Sequence, residues 1–286
     1  MADLKTKYMG LELANPIVVA SCGLTKDSDG VKKCADAGAG AVVLKSLFEE
    51  QVIADMKSEK QYATMAWHPE ALDYIEGMGI ELGPREYLKV IREAKKAVTI
   101  PVIASLNCVS PAVWADYAKK MASEGADAIE LNIAFMPSSP KRSGNEIEKA
   151  YLDTLADASS EIEVPVAVKI GPYFSSVASM ALELSRRGID ALVLFNRFYQ
   201  IDIDIEKIEL SSKITLSSPK EISLPLRWVS LLSGRVDCDL AASTGIHDTA
   251  GIIKMLLAGA TVTQLCSTLY LNGLESIERI LEEVEA

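Results

Sequence analysis

The chain alternates short apolar runs with amphipathic segments along most of its length. Eight runs rich in β-branched residues recur, and most of them are followed by a segment with helical periodicity. Continuous apolar runs of this kind are typical of strands that are buried on both faces of a parallel sheet. The predicted strands are Ile17–Ala20, Ala41–Lys45, Pro101–Leu106, Ala128–Asn132, Pro165–Lys169, Ala191–Phe195, Asp239–Ser243 and Thr261–Cys266.

Glycine marks the end of several predicted helices, as in "DAGAGA" at Asp36–Ala41 and "LAGAT" at Leu257–Thr261. A glycine just past a helix supplies the left-handed cap, after which the next strand begins at once. Eight such units predict an α/β fold, a single (β/α)₈ barrel in one domain over residues 1–286, because this fold needs about 250 residues. A doubly wound sheet is the alternative, but no strand followed by G-x-G-x-x-G supports it.

Two connections are long, residues 46–84 after the second strand and residues 196–236 after the sixth. Both leave the carboxyl ends of strands, where barrel active sites form, so they are either a lid over the site or surface decoration. A helix is predicted around Pro84–Ala97. The period-two pattern of "IDIDIEKIEL" (201–210) facing "SKITLSS" (212–218) predicts a hairpin, and "TKYMGLELANP" (6–16) predicts a small hairpin that closes the bottom of the barrel.

Composition narrows the class of function. A net charge of −11 and a pI near 4.8 argue against nucleic acid and anionic membranes, which both demand a basic face. The opening "MADLKTKYMG" has no apolar core of the kind found in signal peptides, and no later run approaches the ~20 apolar residues of a membrane span. Its five cysteines are scattered without a C-x-x-C and only two histidines occur, so no metal site is predicted. These features predict a soluble cytoplasmic protein.

Polar residues stand where the predicted strands end, and in a barrel these tips face the active site. They include two lysines and three asparagines but no acid, a set suited to a planar, negatively charged ligand that forms hydrogen bonds. Taken singly, each lysine could reach solvent, and each asparagine could form a turn. The strand-end residues are Ala20, Ser21, Lys45, Ser46, Asn107, Asn132, Lys169, Asn196, Arg197, Thr244, Gly245, Cys266 and Ser267.

The last two strand ends form a pair that favours phosphate. "ASTGIHD" places Thr244 and Gly245 before a helix that begins near Asp248, and "CSTLY" places Ser267 and Thr268 at the next helix start. Backbone N–H groups at such positions bind phosphate, and barrels often hold phosphate after strands seven and eight. The alternative is that these hydroxyl residues are ordinary helix N-caps.

The sequence resembles the dihydroorotate dehydrogenase family, flavin mononucleotide (FMN) enzymes on a (β/α)₈ barrel. The similarity covers nearly the whole chain. It rests on motifs that are specific together: "GLELANPIVVAS" (Gly10–Ser21), "AGAGAVVLKSL" (Ala37–Leu47), "ELNI" (Glu130–Ile133), "PVAVKIGPYF" (Pro165–Phe174), "LFNRF" (Leu194–Phe198) and "STGIHD…AGATVTQLCSTLY" (Ser243–Tyr270). The N-terminal helical extension of the membrane-bound branch is absent, so the chain looks like the soluble, class 1 branch.

The resemblance implies a role for each strand end. Ala20, Ser21, Lys45 and Ser46 would line the isoalloxazine ring and ribityl chain, and Lys169 would stabilise the reduced anionic flavin near its N1–O2 edge. Thr244, Gly245, Cys266 and Ser267 would hold the phosphate. Asn107, Asn132 and Asn196, with Arg197, would bind a planar substrate stacked on the flavin. The soluble branch implies a homodimer; its heteromeric members have an iron–sulfur flavoprotein partner, which nothing in this chain identifies.

The residues that depart from the family pattern lie at catalytic and substrate-binding positions and not at flavin-binding positions. The family's cysteine or serine base follows "ELN" three positions on, and Phe135, which cannot accept a proton, stands there. Glu76 and Glu81 occupy a segment that carries amides in the family, and carboxylates there would repel a carboxylated substrate. The chain thus resembles a dihydroorotate dehydrogenase-like subgroup that keeps the flavin positions and lacks the usual base. Ser138, Ser139, Glu76 and Tyr173 are alternative proton donors.

Four functions remain open on the sequence. The first is an FMN-dependent oxidoreductase that exchanges hydride between a small planar or enone-like substrate and flavin N5. The second is true dihydroorotate oxidation in pyrimidine biosynthesis with a serine base from elsewhere. The third is a Schiff-base aldolase that uses Lys45 or Lys169 as nucleophile. The fourth is a flavin-binding relative without catalytic activity.

Overall fold

Eight parallel strands close into a barrel, which confirms the predicted (β/α)₈ fold. The computed structural model describes residues 3–49, 51, 83–107, 111–134, 139–156, 162–197, 202–211 and 215–285. The strand order is β4-β3-β13-β12-β9-β8-β7-β6, and β6 pairs with β4 to close the ring. The barrel strands are β3 (Ile17–Val19), β4 (Ala41–Val43), β6 (Val102–Asn107), β7 (Ala128–Asn132), β8 (Val166–Ile170), β9 (Ala191–Leu194), β12 (Asp239–Ser243) and β13 (Val262–Leu265). A short strand, β5 (Leu47–Phe48), continues beside β6.

Helices follow the barrel strands on the outside. The glycines after α1, α3, α5 and α7 have φ between 81° and 105°, as the sequence predicts for left-handed helix ends. Among the described helices, none is long and apolar enough to cross a membrane. The helices are α1 (Ser28–Asp36), α2 (Pro84–Ala97), α3 (Pro111–Ser123), α4 (Gly144–Ala156), α5 (Val177–Arg186), α6 (Ser223–Leu232), α7 (Thr249–Leu257), α8 (Ser267–Asn272) and α9 (Ser276–Glu285).

The strands bury both faces, so the core has two layers. Small and β-branched side chains, among them Val18, Val43 and Val193, fill the inside of the barrel. Larger side chains such as Ile91 and Leu192 pack between the sheet and the helices. This arrangement explains the continuous apolar runs, because an alternating strand would place polar groups in one of the two layers.

The first hairpin closes the amino-terminal end of the barrel, as predicted. It consists of β1 (Thr6–Tyr8) and β2 (Leu11–Leu13), joined by Met9 and Gly10, which both have positive φ. Two such residues form the tight turn that suits a twisted hairpin, although the left-handed conformation is strained for Met9. The N–H of Met9 donates to Asp239 Oδ2 at 2.7 Å, and Thr261 Oγ1 donates to Asp239 Oδ1 at 3.2 Å. Asp239 therefore anchors the hairpin to the barrel.

The second hairpin exists, but its predicted pairing is wrong. Strand β10 (Asp202–Asp204) pairs with β11 (Glu209–Ser211), so the turn lies inside "IDIDIEKIEL" and not between this segment and residues 212–218. The carboxylate of Asp204 accepts hydrogen bonds from the N–H groups of Glu206 and Lys207. This local turn reverses the chain early, because an aspartate side chain readily satisfies the backbone two and three residues on.

Replacing Asp239 by alanine should destabilise the protein. Asp239→Ala removes a charged acceptor from the N–H of Met9, and a bond of this kind contributes about 1.5–3 kcal/mol. Urea unfolding at neutral pH would measure the loss. Asp237→Ala is the matched control, since Asp237 is exposed and carries the same charge two residues away. Equal losses in the two variants would contradict the anchoring role of Asp239.

Candidate functional site

The barrel brings the predicted site residues together at the carboxyl ends of its strands. Asn107 and Asn132 are the last residues of β6 and β7, and Asn132 is paired in register with Lys169 on β8. Around the same edge, the register of β13 with β3 places Leu265 beside Val19. The residues that immediately follow these strands, Ala20, Ser21, Cys266 and Ser267, therefore share one rim of the barrel.

A chain of hydroxyl groups lines one side of the rim. The backbone N–H of Ser46 donates to Ser21 Oγ at 2.9 Å, and the two hydroxyl oxygens are 3.0 Å apart. Ser46 Oγ lies 2.7 Å from Ser105 Oγ. The backbone of Ser105 is fixed by Tyr87, whose hydroxyl accepts from the N–H of Ser105 at 2.8 Å and donates to its carbonyl at 3.0 Å. Ser21 and Ser46, which were predicted site residues, are thus positioned by Ser105 and Tyr87, which were not predicted.

A buried ammonium lies at the centre of the site. Lys169 Nζ donates to Gln264 Oε1 at 2.9 Å and lies 3.7 Å from Glu130 Oε1. Its side chain is only 9% exposed, and that of Glu130 is 1% exposed. Gln264 Nε2 donates to the other carboxylate oxygen of Glu130. An ammonium has three N–H donors, so within the described residues Lys169 retains donor capacity for a ligand.

Two amides face each other beside this lysine. Asn196 Nδ2 donates to Asn132 Oδ1 at 3.0 Å, and both side chains are partly exposed. Their mutual hydrogen bond fixes both amide planes. Within the part of the chain that the structure describes, the NH₂ group of Asn132 and the carbonyl oxygen of Asn196 remain available to a ligand. A donor and an acceptor held side by side match the edge of a pyrimidine-like ring.

The ends of β12 and β13 converge with a buried serine, Ser217. Ser217 N donates to Ser267 Oγ at 2.9 Å, and the N–H of Gly245 donates to Ser217 Oγ at 3.4 Å. Ser217 Oγ also lies 3.1 Å from His247 Nε2. Burial lowers the pKa of His247, because it disfavours the charged imidazolium, so the ring is neutral at neutral pH. This corner therefore combines hydroxyls, a backbone N–H and an imidazole.

The hydroxyls of Ser267 and Thr268 are not helix N-caps. The cap position of α8 is Cys266, with no capping bond from its side chain, and Thr268 Oγ1 donates to the carbonyl of His247 at 3.1 Å. The cap of α7 is Asp248, which accepts from the N–H of Gly251. The N-cap alternative is therefore wrong for Ser267 and Thr268. Thr244 has φ of 79°, a conformation that favours glycine.

Part of the second insertion is packed onto this corner. A Cβ at Gly245 would collide with the backbone N of Ile222, so glycine is required there by the close approach of residues 219–222. Arg197 Nε donates to Glu221 Oε1 at 2.8 Å, and its guanidinium also contacts the carbonyl of Thr215. Arg197, predicted as a substrate ligand, thus ties the insertion to the end of β9.

The remaining predicted residues lie at the rim with fewer contacts. Lys45 is partly buried, and its backbone N–H donates to the carbonyl of Thr25 at 3.3 Å. Asn107 is partly buried opposite Phe48. Ser139 and Tyr173, two alternative proton donors, are exposed. Residues 52–82 and 135–138, which include Glu76, Glu81, Phe135 and Ser138, lie outside the described residues.

Sequence reasoning missed Glu130, Gln264, Ser105, Ser217 and His247. Glu130 and Gln264 carried a usable signal, because each is a polar residue inside an apolar strand that is buried on both faces. Such a residue needs a buried partner. Ser217 had no such signal, since it is far in the sequence from Gly245 and Ser267, with which it forms hydrogen bonds.

The comparisons with known proteins agree with this architecture. The family model of dihydroorotate dehydrogenase matches residues 3–286. Three similar relatives carry the name dihydroorotate dehydrogenase B (NAD(+)), catalytic subunit. The protein from Methanocaldococcus jannaschii is 27% identical over 98% of this chain and 92% of its own length. That from Pyrococcus abyssi is 28% identical over 98% and 92%, and that from Thermococcus kodakarensis is 29% identical over 100% and 93%. The chain belongs to the dihydroorotate dehydrogenase family.

Proposed function

We propose that the protein is an FMN-dependent oxidoreductase acting on a small planar, pyrimidine-like or enone substrate. The observation that carries this proposal is the group formed by Lys169, Gln264 and Glu130 beside the amide pair of Asn132 and Asn196. It offers a buried cation and a fixed hydrogen-bonding edge at the same end of the barrel. When bound, FMN would supply hydride exchange at its N5 atom.

The donor set fits this cofactor. Within the described residues Lys169 has a donor to spare, and its side chain is only 9% exposed, so its charge would be screened little by water when it meets an anionic ring. Ser21 and Ser46 present hydroxyls toward the same rim. The backbone N–H of Ser217 donates to Ser267 Oγ, and its hydroxyl oxygen accepts from the N–H of Gly245, so this neutral residue brings Gly245 and Ser267 together. Residues at this corner would hold the phosphate.

The substrate would be bound by the amides rather than by a charged clamp. Asn132 and Asn196 are oriented by their own hydrogen bond, so they lose little freedom when a ligand binds. Arg197 already forms an ion pair with Glu221. Its charge therefore holds the second insertion in place and is not directed at a substrate. A homodimer, as the resemblance implies, and a cytoplasmic location, as the composition predicts, remain part of this proposal.

Removing the buried charge should weaken FMN binding in its reduced state. Lys169→Met deletes a charge-assisted hydrogen bond of about 1.5–3 kcal/mol, so the affinity for reduced FMN should fall by roughly 10- to 150-fold and that for oxidised FMN by less. Equilibrium dialysis against oxidised FMN and, without oxygen, against chemically reduced FMN would measure both values, with the bound flavin quantified after reoxidation by its absorbance near ~450 nm.

Lys254→Met is the matched control for that titration, because Lys254 is an exposed residue of α7 with the same charge. An unchanged affinity for reduced FMN in Lys169→Met would contradict the role given to the lysine. A wild-type protein that is purified colourless and takes up no added FMN would overturn the proposed cofactor altogether. Borohydride trapping of a lysine adduct would instead favour the aldolase alternative.

Dihydroorotate should reduce the bound flavin poorly. Phe135 stands at the position of the family's base and cannot take a proton from this substrate. Anaerobic mixing in a stopped-flow instrument would follow flavin bleaching by dihydroorotate beside a panel of other reduced pyrimidines, while quinones and enones would be tested as oxidants of the reduced flavin. Rapid bleaching by dihydroorotate would assign genuine dihydroorotate oxidation. A bound flavin that reacts with none of the compounds would indicate a relative without catalytic activity.

Asn132→Ala should raise the KM for any substrate found in this way. The variant loses one binding amide and leaves Asn196 without its partner, so a rise of about 10-fold is expected from the loss of a bond of about 1–1.5 kcal/mol. Asn145→Ala, which removes an exposed amide on α4, is the control. An unchanged KM would show that the substrate binds elsewhere.

A further inference from the structure

A buried serine lies between a histidine and a backbone N–H at the corner where β12 and β13 end. Ser217 Oγ is 3.1 Å from His247 Nε2 and accepts from the N–H of Gly245 at 3.4 Å. Ser217 is only 6% exposed, whereas His247 is partly exposed. One hydroxyl group therefore has two neighbours, an imidazole that changes its charge with pH and an N–H that does not.

The backbones that carry these two side chains are held by other contacts. Thr268 Oγ1 donates to the carbonyl of His247 at 3.1 Å, and the next residue, Asp248, caps the start of α7 with its side chain. On the opposite side, the N–H of Ser217 donates to Ser267 Oγ at 2.9 Å. The imidazole and the hydroxyl are therefore kept within reach of each other by the fold.

Burial and two carboxylates act in opposite directions on the charge of His247. Burial lowers its pKa, and this effect outweighs the raising effects of the backbone of Ser217 and of the carboxylates of Asp248 and Glu221. Glu221, on the second insertion, is itself bound by Arg197 Nε at 2.8 Å. The sequence of α8, "STLYLN", carries no charge. The imidazole of the free protein is therefore neutral at pH 7, with acidic groups nearby that favour its protonation.

Protonation of His247 fixes the direction of the hydrogen bonds at Ser217. An imidazolium has an N–H on both nitrogens, so Nε2 must donate to Ser217 Oγ whichever tautomer the neutral ring has. A hydroxyl group has two lone pairs and one proton. Since Nε2 and the N–H of Gly245 occupy both lone pairs, the hydroxyl proton must go to a further acceptor. The protonated corner thus presents an O–H donor backed by a positive charge.

We propose that Ser217 and His247 form a proton-linked site for a phosphate monoester, in which His247 takes up a proton from solvent when the anion binds. The anion accepts from the hydroxyl of Ser217, and this hydroxyl accepts from the N–H at Nε2 of the imidazolium. His247 is a positioning residue, because it acts through the serine. The inference rests on the proposed function, since the phosphate monoester would be that of FMN.

The charge balance of the corner favours such a coupling. The chain has a net charge of −11, and Asp248 and Glu221 lie near this imidazole, so a dianion meets repulsion here. A nearby negative charge favours the imidazolium, so the bound anion raises the pKa of His247. The affinity for a dianion therefore increases as the pH falls from the pKa of His247 in the occupied site to its lower pKa in the free site.

Histidine NMR with sulfate tests the inference without the flavin. The chain has two histidines, so His68→Gln, at a position outside the described residues, leaves only the ring of His247 to observe. Sulfate remains divalent at every pH used, unlike a phosphate monoester, whose second pKa is about 6. We expect saturating sulfate to raise the pKa of His247 by roughly 1 or more, and chloride at equal ionic strength to leave it unchanged. The same pKa in both salts would overturn the inference.

The hydroxyl of Ser217 is tested in the same His68→Gln protein. Ser217→Ala should lower the affinity for sulfate at pH 6 by at least about 5-fold, because the anion loses a donor that is backed by a charge. Ser230→Ala, which removes an exposed hydroxyl on α6, is the matched control and should bind sulfate like the parent. Equal affinities of Ser217→Ala and the parent would show that this hydroxyl does not donate to the anion, which would also overturn the inference.

Calorimetry of the full-length protein separates this inference from the proposed cofactor. Binding measured at pH 7 in buffers of different ionisation enthalpy should show an uptake of roughly half a proton or more per FMN, and about none for riboflavin, which lacks the phosphate. His247→Gln should take up about none, since its amide can donate to Ser217 but cannot titrate. FMN binding without proton uptake would overturn the inference and leave the cofactor intact. Failure to bind FMN, together with a sulfate-dependent pKa of His247, would overturn the cofactor and support the anion site.

Discussion

The buried ammonium of Lys169 imposes the strongest constraint on the barrel mouth. Removing an ammonium from water costs several kcal/mol unless charged and polar partners replace the water. Here the partners are the carboxylate of Glu130 and the amide of Gln264, which come from β7 and β13 on either side of the barrel. The three side chains bond to one another across the lumen, so the strands that carry them must keep their register.

This arrangement also explains why the site faces outward at one end. Below it, the lumen is filled by small apolar side chains and closed by Tyr8 and Met9 of the first hairpin. The charge can therefore be neutralised further only by a ligand that enters at the carboxyl ends of the strands. Glu130 Oε1 accepts no hydrogen bond within the described residues, and its attraction to Lys169 at 3.7 Å is purely ionic. The ion pair of Glu130 with Lys169 thus fixes the position of the ammonium and leaves one of its N–H donors available within the described residues.

The second insertion serves the other side of the same mouth. Residues 215–222 place Ser217 between the ends of β12 and β13, and the ion pair of Arg197 with Glu221 fastens them to β9. Gly245 lacks a side chain because the backbone of Ile222 approaches it closely. The sequence predicts a phosphate-binding role for Gly245, but the close approach of Ile222 already requires a glycine at this position. The two explanations are compatible, since a segment that fits tightly over a backbone N–H also fixes its direction.

The barrel could be predicted from sequence because its signal is local. Eight apolar runs, separated by helices that end in glycine, determine strand positions without any knowledge of contacts. The strand tips then follow from topology, which is why the positions of Lys169, Asn132 and Asn196 at the barrel mouth could be predicted. The pairing of β10 with β11 was missed because the turn formed by Asp204 competes with a longer period-two pattern. The contacts of Ser217 depend on distant segments, and no local pattern encodes them.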